Sequence, residues 1–143
     1  MSKRVGIEPK AYEAMMGFEK YLETTDISPI HAEMIRIRAS QINGCAFCIN
    51  MHTKDARKAG ETEQRIYLLN AWRETSLYTP EERAILALTE EVTLISGHGV
   101  SDKTYEEAEA LLGRKYLSQV LAAIIVINAW NRLAISSRMQ PAD

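Results

Sequence analysis

The sequence predicts an all-α fold: a single-domain bundle of six or seven helices over residues 1–143. Apolar residues recur at helical spacing along nearly the whole chain. Prolines, serines and threonines stand where helices would start, and glycines stand where they would end. No alternating stretch is long enough to make a strand. A chain of 143 residues suits one domain, and at that size a fold buries about 70% of the surface its unfolded chain exposes, so it needs no disulfide staples. Neither an internal repeat nor a Gly/Ser linker divides it.

The elements follow in order. A first helix is expected from Pro9 to Leu22, with Tyr12, Met15, Met16, Glu19 and Leu22 along one stripe. Ser28-Pro29 supplies an N-cap and a proline at the first helical position for a second helix to about Gln41, and Asn43-Gly44 ends it. A third runs from Cys45 to Ala59, closed by Gly60 after the basic Lys54, Arg57 and Lys58. A fourth covers Glu63 to Trp72, with Tyr67 and Trp72 expected in the core. Thr79-Pro80-Glu81-Glu82 is a capping box that opens a helix toward Ser96, followed by a Gly97-His98-Gly99 loop. Ser101 caps a short helix to Gly113, and a long final helix runs from Lys115 to Ser137 with Leu117, Leu121, Ile124, Asn128, Asn131 and Ile135 on one face. The last residues, Gln140 to Asp143, read as a loose tail.

Seventeen basic and nineteen acidic residues leave a net charge of -2, so no global basic field draws the chain to nucleic acid or anionic lipid. The N-terminal Met1-Ser2-Lys3-Arg4 is not followed by the apolar core of a signal peptide, and a cytoplasmic location is expected. The apolar run Val120–Trp130 is short of the roughly 20 residues of a membrane span and reads as a core helix. In a reducing compartment, two cysteines three positions apart point to catalysis or metal binding rather than to a structural cross-link.

Those cysteines are the chemical centre of the sequence. On a helix, Cys45, Cys48 and His52 fall within roughly 60° of one another, which places both thiols and an imidazole on one face. A thiol in the first turn is favoured as thiolate by the helix dipole, which singles out Cys45; proximity to His52 as a base singles out Cys48. Glu33, on the preceding helix in register with Ile30 and Ile37, reaches His52 if the Asn43-Gly44 turn folds the two helices together. A surface ion pair with Arg36 or Arg38 is the plain alternative for Glu33. For the cysteines, the alternatives are inert packing, or a metal site of Cys45, Cys48 and His52 with Glu33 or His31. Zinc sites usually have a second complete half-site, which is absent here, and no metal or cofactor is expected.

Glu33, Cys45-x-x-Cys48 and His52, in this spacing, resemble the active-site signature of the alkyl hydroperoxidase D-like (AhpD-like) branch of the carboxymuconolactone decarboxylase family. The segments Thr79–Glu90, Val100-Ser101-Asp102 and Ile127–Leu133 are also similar to its small single-domain members, and the likeness runs from about Ala14 to Arg138. The resemblance implies a thiol-dependent peroxidase or disulfide oxidoreductase with no cofactor, taking a hydroperoxide and a thiol or dithiol electron donor and assembling as a homotrimer or homohexamer. It also implies Cys48 as the peroxide-attacking cysteine, Cys45 as the resolving one, His52 as base and Glu33 as head of a proton relay. One position departs: well-studied members carry histidine immediately before the second cysteine, where this chain has Phe47. Lactone decarboxylation and a non-catalytic redox sensor are the competing functions, and the former has no need of two thiols. His31 and His98 are expected on the surface, Met15, Met16 and Met51 as gap-fillers, and Asn128 and Asn131 as pocket, seam or buried amides.

Overall fold

A computed structural model of the protein describes residues 3–143, and those residues form helices and connecting turns without a strand. The helices are α1 (Pro9–Glu23), α2 (Pro29–Asn43), α3 (Ala46–Lys58), α4 (Glu63–Tyr67), a 3-10 helix (Leu69–Glu74), α5 (Pro80–Thr93), α6 (Ile95–His98), α7 (Asp102–Leu112) and α8 (Arg114–Ser136). Their starts are built as the sequence indicates. Ser28 accepts from the His31 backbone N–H, and Thr79 and Glu82 cap each other reciprocally. Gly44 ends α2 at φ 71°, a left-handed conformation that glycine adopts without a Cβ clash.

Helix α2 is central. Ile35 and Ala39 face a core shared with Ile85, Leu88, Val120, Ile124 and Ile127, while Met34 and Ile37 face a second core of Ile66, Leu69, Trp72, Tyr78 and Leu86. Helix α1 has no buried residue; Met15, Met16, Glu19 and Leu22 are half-buried, and Tyr12 meets Trp130 of α8 edge-on at 5.5 Å.

Four expectations are corrected. The helix expected over 63–72 breaks after Tyr67, because Ile66, Leu69 and Trp72 are all buried and their spacing of three is the 3-10 repeat. That winding turns Tyr67 outward, 70% exposed, rather than into the core. The Gly97-His98-Gly99 loop begins inside a short helix, α6. On α8 the buried stripe is Leu117, Val120, Ile124, Ile127, Asn131 and Ala134, whereas Leu121 and Ile135 are exposed. A helix apolar almost all round does not disclose its inner face; its neighbours α2, α5 and α7 choose it. The 23-residue α8, whose most apolar 18-residue stretch has mean hydropathy 1.4, has the length and composition to cross a bilayer, but here the helix packs against five others.

Amides join α8 to the end of α2. Asn43 Nδ2 donates to Asn128 Oδ1 and to Asn131 Oδ1, each at 2.9 Å. Asn131 in turn donates to Ser40 Oγ at 3.0 Å, and Asn128 to Thr93 Oγ1 at 3.0 Å. Asn131 is thus a buried amide bonded to side chains and Asn128 a half-buried one that also donates to the Ile124 carbonyl at 2.9 Å, and both anchor the backbone immediately before Cys45. Asn131→Leu is expected to destabilise the protein by about 2 kcal/mol, since Asn43 and Ser40 lose partners at a fully buried site. Urea denaturation measures it; a loss no larger than that of an exposed substitution would contradict the anchoring role.

Candidate active site

Gly44 reverses the chain so that α3 lies against α2, and this places His52 opposite Glu33. The His52 Nδ1–H donates to Glu33 Oε2 at 3.0 Å. The other oxygen of Glu33 accepts from Arg36 at 2.6 Å, so the His52 contact and the Arg36 ion pair expected as alternatives occur together. Arg36 also pairs with Glu19 of α1 at 3.1 Å, and Glu19 accepts from the Trp130 indole at 2.9 Å. A chain of polar contacts thus runs Trp130–Glu19–Arg36–Glu33–His52 across four helices.

Glu33 is 8% exposed. Burial pushes its carboxyl toward the neutral form, but the hydrogen bond from His52 and the charge of Arg36 outweigh that and hold its pKa below the usual carboxylate value. An ionised Glu33 fixes the His52 tautomer with Nδ1 protonated and leaves Nε2 as the basic nitrogen.

The cysteines form a disulfide with Cα atoms 5.3 Å apart. Contrary to expectation, Cys45 is not in the first turn but is the N-cap of α3, with extended backbone and its Sγ accepting from the Cys48 N–H at 3.3 Å. The two sequence arguments therefore apply to different sulfurs. Cys45 has the helix N-terminus, and Cys48 has His52 one turn further along.

Cys48 and His52 line a cavity of about 440 Å³. Its remaining wall is mostly apolar, with Tyr12 and Met16 of α1, Phe47 and Met51 of α3, Val126, Ile127, Trp130, Leu133 and Ala134 of α8, and Met139 beyond it; Glu19, Arg36 of α2 and Asp55 are the charged residues that complete it. Cys45 is not among the cavity's lining residues, so the expected single face of two thiols and an imidazole is divided. Met16 and Met51, expected as gap-fillers, are cavity wall. Glu19, Arg36 and Trp130 were missed as site residues, because their partners lie on different helices and no local motif marks them.

His31 is not a surface residue: it is half-buried, Nδ1 lies 2.7 Å from the Tyr116 hydroxyl, and burial lowers its pKa. It lies outside the cavity wall. His98 is exposed, as expected, 3.9 Å from Glu91. Among the described residues, the side chains whose ligand atoms lie within 4.8 Å of one another are Glu33, His52 and Asp55, not the cysteine set weighed from spacing.

A small helical bundle with a C-x-x-C pair at a helix start, a histidine one turn on and a buried glutamate behind it defines an AhpD-type fold. Residues 9–91 match the carboxymuconolactone decarboxylase family. The chain is 47% identical over 139 residues to the uncharacterized Bacillus subtilis protein YdfG, covering 95% of each. Its structure superposes with TM-score 0.92 on a protein of unknown function from Agrobacterium tumefaciens, suggested there to be the antioxidant defence protein AhpD, at 38% identity over 95% of this chain and 93% of that one. It also shares the fold of the debrominase Bmp8 bound to 2,3,4-tribromopyrrole, with TM-score 0.84 at 17% identity over 94% of this chain and 72% of that one. The chain belongs to the carboxymuconolactone decarboxylase family and has the AhpD-like fold.

Because Glu33 serves both Arg36 and His52, Glu33→Leu is expected to cost about 2–3 kcal/mol and Glu33→Gln less, since the amide oxygen still accepts. The sign follows from the lowered pKa. The carboxylate's contribution is complete above its ordinary value near 4.5 and is lost as pH falls through the lower folded value. The wild-type advantage over Glu33→Leu in thermal unfolding should therefore shrink below pH 4.5. An advantage that stayed constant into acid would show that Glu33 is not ionised in the fold.

Proposed function

We propose that the protein is a thiol-dependent peroxidase that reduces organic hydroperoxides through a Cys45/Cys48 dithiol–disulfide cycle. One observation carries the reading: the C-x-x-C pair is close enough to bond, and Cys48 opens into an apolar cavity beside a histidine held by a buried carboxylate. His52 Nε2 takes the Cys48 proton, and the thiolate attacks the terminal peroxide oxygen. The O–O bond breaks, the alkoxide leaves with a proton as the alcohol, and Cys48 becomes a sulfenic acid. Cys45 then attacks the Cys48 sulfur, expelling water and closing the disulfide.

Glu33 orients His52 and stabilises the imidazolium that forms. The wall of Tyr12, Met16, Met51, Val126, Ile127, Trp130 and Leu133 suits a hydroperoxide with an apolar tail better than hydrogen peroxide. Phe47 adds to that wall where the resembling family has a histidine, so proton transfer in this chain rests on His52 alone. The cycle needs reduced thiols, which fits a cytoplasmic setting. Leu121 and Ile125 on the outer face of α8 are exposed apolar surface that a trimer or hexamer of this chain would cover.

Cys48→Ser is expected to abolish consumption of cumene hydroperoxide in the presence of dithiothreitol. In the absence of added thiol, Cys45→Ser should consume one equivalent and stop at a sulfenic acid that dimedone captures. Glu33→Gln should slow the peroxide step by about 100-fold. Multiple turnovers by Cys48→Ser would overturn the reading, and lactone turnover surviving in the double cysteine variant would favour decarboxylation instead.

A further inference from the structure

The two sulfurs of the disulfide open to different compartments. Cys48 lines the cavity that holds His52, whereas Cys45 lines a separate groove of about 340 Å³ between the start of α3 and the end of α8. Phe47, Ala134 and Met139 line both and form the partition between them. On the groove side alone, with Cys45, stand Gly44, Ala46, Ile135, Arg138 and Gln140.

The far wall is the C-terminal tail. Arg138 adopts a left-handed φ of 57°, and the Met139 N–H closes back on Ala134 O at 2.9 Å, which turns the chain off α8. The Ala142 carbonyl then accepts from Asn50 and Lys54 of α3, so the tail expected to be loose is laid across that helix.

We infer that this groove is the entry site for the electron donor, a dithiol that attacks Cys45, so that peroxide and reductant reach the disulfide from opposite sides of Phe47. The inference rests on the thiol cycle proposed above. The donor loses one thiol proton to solvent and its thiolate attacks Cys45 Sγ. The Cys45–Cys48 bond breaks, and Cys48 leaves with the electron pair as a thiolate beside His52, where the peroxide step needs it. A mixed disulfide now joins the donor to Cys45. The donor's second thiol loses its proton and attacks the donor sulfur of that bond, the donor closes to its own disulfide, and Cys45 leaves and is protonated. Two electrons pass, and the enzyme dithiol is restored.

The geometry favours this polarity in two ways. Attack at Cys48 would require the donor to occupy the peroxide's cavity, and it would leave the thiolate on Cys45 rather than on the sulfur that the peroxide step uses. A dithiol suits the site better than a monothiol because Cys45 is 1% exposed. A second free thiol has poor access to the mixed disulfide there, whereas one carried on the donor attacks intramolecularly, ahead of the return attack by Cys48.

The test separates the half-reactions. Protein oxidised by diamide is mixed with dithiothreitol, and separately with reduced thioredoxin, and thiol release is followed without peroxide. Reduced protein is then mixed with cumene hydroperoxide in a single turnover. Ala46→Phe fills the groove from an exposed position outside the cavity wall. It is expected to lower the rate of disulfide reduction at least about tenfold relative to the peroxide step. Met51→Trp, on the cavity side, should do the reverse. Ile135→Trp, from the opposite groove wall, repeats the first measurement should Ala46→Phe fold poorly.

Slowing with both donors supports entry by a free dithiol, and slowing with thioredoxin alone supports the same groove used by a protein-borne one. Groove variants that leave reduction by both donors unchanged, or Met51→Trp slowing reduction, would overturn the inference. Absence of any peroxide step in the wild type would overturn the proposed function, and the reduction measurements are read independently of it.

Discussion

A carboxylate placed between two packed helices is stable in its charged form only if its oxygens are occupied. Glu33 meets that condition with Arg36 on its own helix and His52 on the next. The consequences spread outward. Arg36 draws in Glu19, and Glu19 draws in the Trp130 indole, so the charge that fixes the imidazole also ties α1 and α8 to the α2–α3 hairpin. The cavity wall is supplied by those same helices. Loss of the carboxylate would loosen the wall and the base together.

The α2–α3 hairpin is held at its tip by a different kind of interaction. Gly44 makes the reversal possible, but a glycine turn alone does not set the angle between helices. The hydrogen bonds among Asn43, Asn128, Asn131 and Ser40 fasten the last turn of α2 to α8, with Ser40 and Asn131 fully buried. Cys45 follows two residues after Asn43 and sits against Ala134 of the same α8. The position of the disulfide is therefore set by α8 on one side and by the Glu33–His52 contact on the other.

Phe47 takes on a meaning that its place in the motif does not suggest. Compared with a histidine-bearing motif, it is a lost relay group. Within the fold it is a wall shared by two compartments, one holding the base and the other the N-capping sulfur. An aromatic side chain there excludes water and keeps the two approaches to the disulfide apart. A polar ring would favour proton transfer and weaken that separation.

The sequence by itself determined most of the helix ends and the residues of the candidate site: the caps at Ser28 and Thr79, the Gly44 stop, the spacing of Cys45, Cys48 and His52, and Glu33 in register behind them. These are legible because capping, turn chemistry and helical periodicity act over a few residues. Only the tertiary structure decided the rest. Ile66, Leu69 and Trp72 tightened a helix because all three had to be buried together, and the apolar α8 acquired its inner face from its neighbours. Glu19, Arg36 and Trp130 became site residues through contacts between helices far apart in the chain. Cys45 became a cap because the backbone leaves Gly44 in extended form. Each of these outcomes depends on which surfaces meet, and a helical repeat read along one chain carries no record of its partner.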